Sequence, residues 1–181
     1  MSKPWPAPKE IWDMVEELKG KYHAPQLDNA TVAVAMKDDK PFVKNRLNFG
    51  KVSRPSPAAQ IWMKEPHTFC ITLCADVWQG ILKPEQQIAM LDLHLTCCEP
   101  AYEPETVLEG KKKIVVKDEF GRVKFTNTIK KDKDGDIVWQ VLPMDIVVIG
   151  KNVQRFGLWW TDVEDFAQTV IGVGANEKPA D

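Results

Sequence analysis

The chain has 181 residues, of which 44% are hydrophobic and 28% charged, and its 24 basic side chains nearly balance 26 acidic ones. This composition is typical of one globular domain, and the balanced charge lacks the excess of basic residues that is typical of nucleic-acid-binding proteins. No apolar run reaches the roughly 18–20 residues that span a bilayer. The first residues lack the apolar region of a secretory signal, so we expect a cytoplasmic protein with four reduced cysteines.

The first half of the chain predicts an extended arm, one helix and three strands. Prolines favour an extended arm over residues 1–8. Residues 9–22 place apolar side chains at helical spacing, and Gly20 favours the end of a helix there. Segments rich in apolar and β-branched residues, which predict strands, lie at 30–36, 40–52 and 67–78. We expect the backbone to bend at the glycine of the second strand.

The second half predicts a helix, a β-rich stretch and further helices. Residues 82–98 favour a helix with Pro84 in its first turn, and the prolines in 99–105 favour a solvated loop. The turn sequences DEFG and KDKDGD join three predicted antiparallel strands at 111–118, 121–130 and 136–143. Two helical pieces broken at Gly157 follow, at 144–160 and 161–174.

These elements predict an α+β fold, in which helices pack against a mostly antiparallel sheet. We expect a single domain over residues 9–174. The extended arm (1–8) precedes it, and a flexible tail (175–181) follows it.

The cysteines offer two candidate metal sites. Cys70 and Cys74 lie in one predicted strand, about 13 Å apart at ~3.3 Å per residue, which is too far to share a zinc ion. We therefore interpret them as small buried hydrophobic residues. His94 shares a helix face with Cys97 and Cys98, but a third ligand has to come from elsewhere in the chain.

An aspartate-rich turn gives a third candidate. Asp132, Asp134 and Asp136 have the spacing of calcium ligands, but the sixth position of the loop is Ile137, where an EF-hand has glycine. A hairpin turn is the better interpretation.

Several segments together resemble one family, the phage metallopeptidases, which are small zincin-like proteins. The resemblance covers residues 10–166, including the run RFGLW near the end. The matching segments are IWDMVEELKGKYHAPQLDNATVAVAMKDDKP, LNFGKVSRPSP, FCITLCADVWQGILKPEQQIAMLD and DIVVIGKNVQRFGLWWTDVEDF. The resemblance implies a zincin-like scaffold with a zinc-binding helix at LDLHLTCC (91–98).

The residues of that helix depart from the family's catalytic pattern. The family motif reads approximately L-D-H-E-L-C-H, which places Leu93 at the first histidine ligand, His94 at the general-base glutamate and Cys97 at the second histidine. Met144 stands where a further histidine is expected. A shift of one residue places His94 and Cys98 at the ligands but leaves no general base. The resemblance therefore implies a degenerate site with no catalytic residues and no cofactor.

A scaffold without its catalytic groups implies a binding function. We expect a catalytically inactive metallopeptidase-fold protein of a phage or prophage, which binds a host bacterial protein in a host-takeover or anti-defence role. It would act in the cytoplasm of the infected bacterium. Candidate contact residues are Trp5, Trp159 and Trp160, because tryptophan often anchors interfaces. The last two are better candidates for closing the core.

Two alternatives belong to other classes. The first is an active zinc metallopeptidase with a rearranged site made of His94, Cys97 and Cys98. The second is a nucleic-acid-binding accessory protein that uses the lysines of the predicted hairpins. Acidic residues interleave with those lysines, so nucleic acid is the weaker expectation.

Overall fold

The computed structural model describes residues 2–44, 46–55 and 65–160, which form four helices and twelve short strands. The helices are α1 (Lys9–Tyr22), α2 (Ala75–Gly80), α3 (Pro84–Thr96) and α4 (Ile146–Phe156). The strands are β1 (Trp5–Pro6), β2 (Val32–Lys37), β3 (Phe42–Val43), β4 (Arg46–Leu47), β5 (Lys51–Ser53), β6 (Phe69–Cys74), β7 (Cys98–Pro100), β8 (Tyr102–Pro104), β9 (Thr106–Glu109), β10 (Lys112–Val115), β11 (Phe125–Ile129) and β12 (Trp139–Val141). Within the described ranges, no helix has the length and apolar character to cross a membrane.

Internal contacts divide the chain into two compact units. Residues 99–140 form one of them, which we call the branched unit. The residues before 99 and after 140 form the other, which we call the main unit.

A four-stranded sheet in the order β1-β2-β6-β5 lies at the centre of the main unit. Its inner strands β2 and β6 run parallel, from Val32 opposite Phe69 to Lys37 opposite Cys74. Strands β1 and β5 add antiparallel at the two edges. Nearly every residue of the inner strands is buried, which explains their almost continuous apolar sequences.

Three helices contact this sheet: α1 contacts β2, α2 contacts β6 and α3 contacts β5. Helix α3 also contacts α1 and α4. In α1 the buried residues are Ile11, Val15 and Leu18, spaced for one helix face. Helix α3 begins with Pro84, where a missing N–H has no cost, and all its residues from 89 to 96 are buried. Helix α3 is therefore the central helix of the main unit.

The predicted strand at 40–52 is three short strands, with β3 and β4 forming a hairpin. Gly50 precedes β5 with a φ of +90°, and a Cβ placed there would lie 2.0 Å from the carbonyl oxygen of Thr72. Only glycine fits this close approach to β6. The predicted backbone bend at the glycine is confirmed.

The branched unit consists of paired strands that meet at two three-way junctions. Its pairs are β7 with β12, β8 with β11, and β9 with β10. At the first junction Ala101 N donates to Val138 O, Val138 N donates to Lys130 O, and Lys130 N donates to Ala101 O. These three hydrogen bonds, at 2.7, 2.9 and 2.8 Å, close a ring among three chain segments.

The second junction repeats the same pattern further along the unit. Glu105 N donates to Lys124 O, Lys124 N donates to Val116 O, and Val116 N donates to Glu105 O, at 2.9, 3.0 and 2.9 Å. Two hairpin arms leave this junction, one over 105–116 and one over 116–124. Backbone hydrogen bonds rather than a large apolar core therefore define the path of the chain here.

The α+β class, with mostly antiparallel sheets and packed helices, is confirmed. The predicted helices at 9–22 and 82–98 are α1 and α3, and the predicted break at Gly157 ends α4. The second helical piece at 161–174 and the tail at 175–181 lie outside the described residues.

Two predictions of local structure are wrong. Residues 75–78, predicted as strand, belong to α2, because the parallel pairing of β6 with β2 ends at Cys74 and the chain turns there. The predicted loop at 99–105 contains β8 and most of β7. Pro100 and Pro104 are compatible with β7 and β8 because, among the described residues, each of these strands pairs on one side only. The other edge forms no strand pair and can therefore accommodate the missing N–H of a proline.

Candidate functional site

The positions that resemble zinc-ligand positions lie in a buried apolar cluster of the main unit. Leu93 and Cys97, one turn apart on α3, pack against Val148 of α4, and all three are buried. The partly buried hydrophobic residues that surround them are Val52, Val141, Leu142, Ile149 and Trp159. The side chains that pack together in this cluster carry no charge.

The two adjacent thiols are engaged with the backbone of their own helix. Cys97 Sγ donates to Leu93 O and Cys98 Sγ donates to His94 O, each at 3.5 Å. Burial, assisted by the negative charge of Asp145, raises the pKa of the Cys97 thiol to about 12. Burial also raises the pKa of the Cys98 thiol. Both thiols are therefore protonated at neutral pH in this arrangement, and each hydrogen-bonds to a carbonyl oxygen of its own helix.

His94 is fully buried on the same helix. Its Nε2 lies 3.2 Å from the carbonyl oxygen of Phe49, which can only accept, so Nε2 carries the hydrogen. Nδ1 has no hydrogen-bond partner among the described residues. Burial lowers the pKa of His94 to about 4, against the smaller opposing effect of the Phe49 carbonyl. The ring is therefore neutral at physiological pH.

This donor set does not fit a hydrolytic zinc ion, which needs three protein ligands and an open position for water. Leu93 supplies no donor atom, and Cys97 is a protonated thiol. Met144 is 41% exposed, and the neighbouring Asp145 caps α4 by accepting from the N–H groups of Val147 and Val148. Among the described residues, no three His, Cys, Asp or Glu side chains converge on a common point.

Another buried polar side chain of α3 is the carboxylate of Asp92, whose exposure is 0%. Its Oδ1 accepts from His23 Nε2 at 2.8 Å, and its Oδ2 accepts from Asn152 Nδ2 at 2.9 Å. Arg155 Nη1 lies 2.7 Å from both oxygens. Burial alone would raise the pKa of Asp92, but the hydrogen bonds from His23 and Asn152 and the charge of Arg155 outweigh it and hold the pKa below its usual range.

The Asp92 network, which we define as Asp92 with His23, Asn152 and Arg155, extends to further groups. Thr96 Oγ1 accepts from Arg155 Nη1 at 3.1 Å and donates to Asp92 O at 2.8 Å. Asn152 Oδ1 accepts from Trp159 Nε1 at 2.7 Å. The network thus connects the end of α1, the middle of α3, and α4, and the oxygens of Asp92 are occupied by protein donors.

The sequence analysis missed this network. One signal was available, since Asp92 stands between Leu91 and Leu93 in a helix with apolar residues on several sides. A buried carboxylate needs a partner. Its partners His23 and Arg155 lie 69 and 63 positions away along the chain, and no local pattern identifies them.

The candidate contact tryptophans have different surroundings. Trp5 is 36% exposed and lies in β1, opposite Met36. Trp159 and Trp160 are half-buried, and their rings lie 5.4 and 6.0 Å from the ring of Phe49. The last two tryptophans therefore contribute to packing in the main unit, and Trp5 is the more accessible residue.

The remaining candidate metal ligands take part in the packing of a strand or in a turn. Cys70 and Cys74 are buried in β6, and burial raises the pKa of the Cys70 thiol. Asp132 closes a hairpin turn, because its Oδ1 accepts from the N–H groups of Asp134 and Asp136. The predicted turn at KDKDGD is confirmed.

Comparison of the chain with models of protein families, with curated proteins and with solved structures finds no match. The resemblance to phage metallopeptidases stays a prediction.

Proposed function

We propose that this chain is a non-catalytic binding protein, built on a scaffold that resembles a metallopeptidase. One observation carries the proposal: Leu93 and Cys97, which stand at the family's two histidine-ligand positions in the zinc helix, pack with Val148 in an apolar cluster. A hydrolytic centre requires charged ligands, a general base and bound water. An apolar cluster of this kind stabilises the fold but offers none of them.

The Asp92 network supports the same proposal. A catalytic carboxylate has to reach its substrate, whereas Asp92 is fully buried and its oxygens accept from three protein side chains. Such an arrangement holds helices in place and makes the carboxylate unavailable as a nucleophile or base. We therefore assign Asp92 a structural role.

The proposed partner is a protein of the bacterial host, and the proposed origin is a phage or prophage. The resemblance supports both, because a phage scaffold that has lost its chemistry retains a folded surface suited to binding. The exposed Trp5 supports a protein contact, since tryptophan contributes a large contact area at interfaces.

A combined assay of hydrolysis and binding tests this function. The purified chain is incubated with unfolded casein, with and without added zinc, and is separately cross-linked in bacterial extract and analysed by mass spectrometry. We expect intact casein under both conditions and a saturable cross-link to one host protein. Zinc-dependent cleavage that is lost in His94→Ala would contradict the proposal and favour the rearranged zinc site.

A further inference from the structure

The branched unit exposes an unusual amount of apolar surface for residues 99–140. Leu108 is 74% exposed, Phe120 72% and Phe125 61%. Smaller exposed apolar residues accompany them at Val107, Ile114, Val115, Val123 and Ile129. Contiguous exposed apolar surface is typical of an interaction site, and Val107 lies directly opposite Ile114 in the β9–β10 pair.

The strand β10 adds a local positive charge to this surface. The segment KKKIVVK (111–117) holds four lysines and no acidic residue. Lys112 lies opposite Glu109 in the strand pair, but Lys113 lies opposite Leu108 and Lys117 opposite Val123. Lys113 and Lys117 therefore have no acidic cross-strand partner.

One edge of β10 is open to a further strand. Within the part of the chain that the structure describes, β10 pairs with β9 alone, and Val116 N donates to Glu105 O on that side. In an antiparallel ladder, alternate residues bond to the partner, so Lys112 and Ile114 face β9. The backbone N–H and C=O groups of Lys113 and Val115 therefore point away from β9.

We propose that this edge binds an extended acidic segment of a protein partner by strand addition. Its backbone would pair with Lys113 and Val115, its carboxylates would meet Lys113 and Lys117 on one face of β10, and its apolar side chains would cover Ile114 on the other face. This inference depends on the proposed binding function and names the chemistry of the partner.

The lysine charges and the exposed apolar side chains favour an acidic protein segment over a second copy of the chain or a nucleic acid. A second copy of the chain would bring one lysine-rich edge against another, and like charges opposite each other destabilise a strand pair. Nucleic acid would match the lysines but would leave Ile114 exposed to water and would offer no strand backbone to the N–H and C=O groups of Lys113 and Val115. An acidic, apolar strand matches both features.

Amide hydrogen exchange measured by NMR tests the proposal. The probe is a synthetic peptide of about ten residues that alternates glutamate with valine, and the control peptide has lysine in place of glutamate. We expect the acidic peptide to slow exchange at Lys113 and Val115 by at least about tenfold. Lys112 and Ile114 should change little, because their amides already bond to β9.

Two variants test whether the charges of Lys113 and Lys117 contribute to binding. Lys113→Glu combined with Lys117→Glu should weaken binding of the acidic peptide about tenfold or more. The control Lys133→Glu changes another exposed lysine, in the hairpin turn at 132–136, and should leave affinity unchanged. Both variants alter surface side chains only, and circular dichroism checks that they remain folded.

Several outcomes would overturn the inference. Unchanged exchange at Lys113 and Val115 under saturating acidic peptide would exclude strand addition. Protection by a single-stranded DNA oligonucleotide, without protection by the peptide, would assign the edge to nucleic acid. A host protein that cross-links equally well to the wild type and to the double lysine variant would leave the proposed binding function intact. It would contradict only the proposal that the β10 edge is the binding surface.

Discussion

Replacing Asp92 by asparagine should strongly destabilise the protein, although the two side chains have nearly the same shape. In the wild type, His23 and Asn152 each donate to one carboxylate oxygen, and Arg155 donates to both. An asparagine has one oxygen and one NH₂ group. In either orientation its NH₂ faces donors, and the charge of Arg155 loses its partner. Breaking a buried ion pair in this way typically costs roughly 3–5 kcal/mol.

Urea unfolding monitored by tryptophan fluorescence measures this loss, and thermal unfolding provides a second reading. For a chain of this length, each kcal/mol corresponds to roughly 2–4 °C, so Tm should fall by about 10 °C. Asp13→Asn is the matched control, since Asp13 pairs with Lys9 in an exposed ion pair and should change stability by less than about 0.5 kcal/mol. A loss below about 1 kcal/mol for Asp92→Asn would refute the structural role of the network.

Three further predictions concern single residues. The pKa of His94 in the folded chain, about 4, lies below the ordinary value, so the unfolded chain takes up a proton first on acidification. The free energy of unfolding should therefore fall by about 3 kcal/mol from pH 7 to pH 4. A free energy of unfolding that does not change over that range, measured with urea, would contradict a buried neutral ring. Gly50→Ala should lose more than about 2 kcal/mol in urea unfolding, because the new Cβ meets the backbone of β6 at a positive φ. Gly20→Ala in the last turn of α1, where a new Cβ has open space around it, should instead gain roughly 0.4–1 kcal/mol; equal effects of the two changes would contradict this difference. Trp159→Phe removes the donor to Asn152 and should cost roughly 1–3 kcal/mol in the same assay, and an unchanged midpoint would show that the indole hydrogen bond contributes nothing.

The sequence predicts those elements whose signals are local. Helix α1 follows from its apolar spacing, and α3 follows from Pro84 and the long apolar run after it. Gly50 and Gly157 mark a bend and a helix end because their positive φ angles favour glycine. Each of these features is decided within a few residues of the chain.

Other features depend on partners that are distant in sequence. Prolines at 100 and 104 favour a loop, yet Pro104 pairs with Phe125 across the branched unit. The rings of hydrogen bonds at the two junctions join segments that no local pattern relates. At the site, the resemblance drew attention to Leu93 and Cys97, whereas the charged centre of the helix is Asp92, whose partners come from α4 and the end of α1.

The metal content of the untagged, folded protein is the most direct test of whether this chain is a non-catalytic binding protein without a zinc site. Elemental analysis is made on the wild type and on His94→Ala after dialysis against zinc-containing and then zinc-free buffer. The account predicts far less than one zinc ion per chain in both proteins, because Leu93 and the protonated Cys97 and Cys98 do not form a zinc ligand set. About one zinc ion per wild-type chain, lost in the variant, would contradict the proposal of a non-catalytic binding protein.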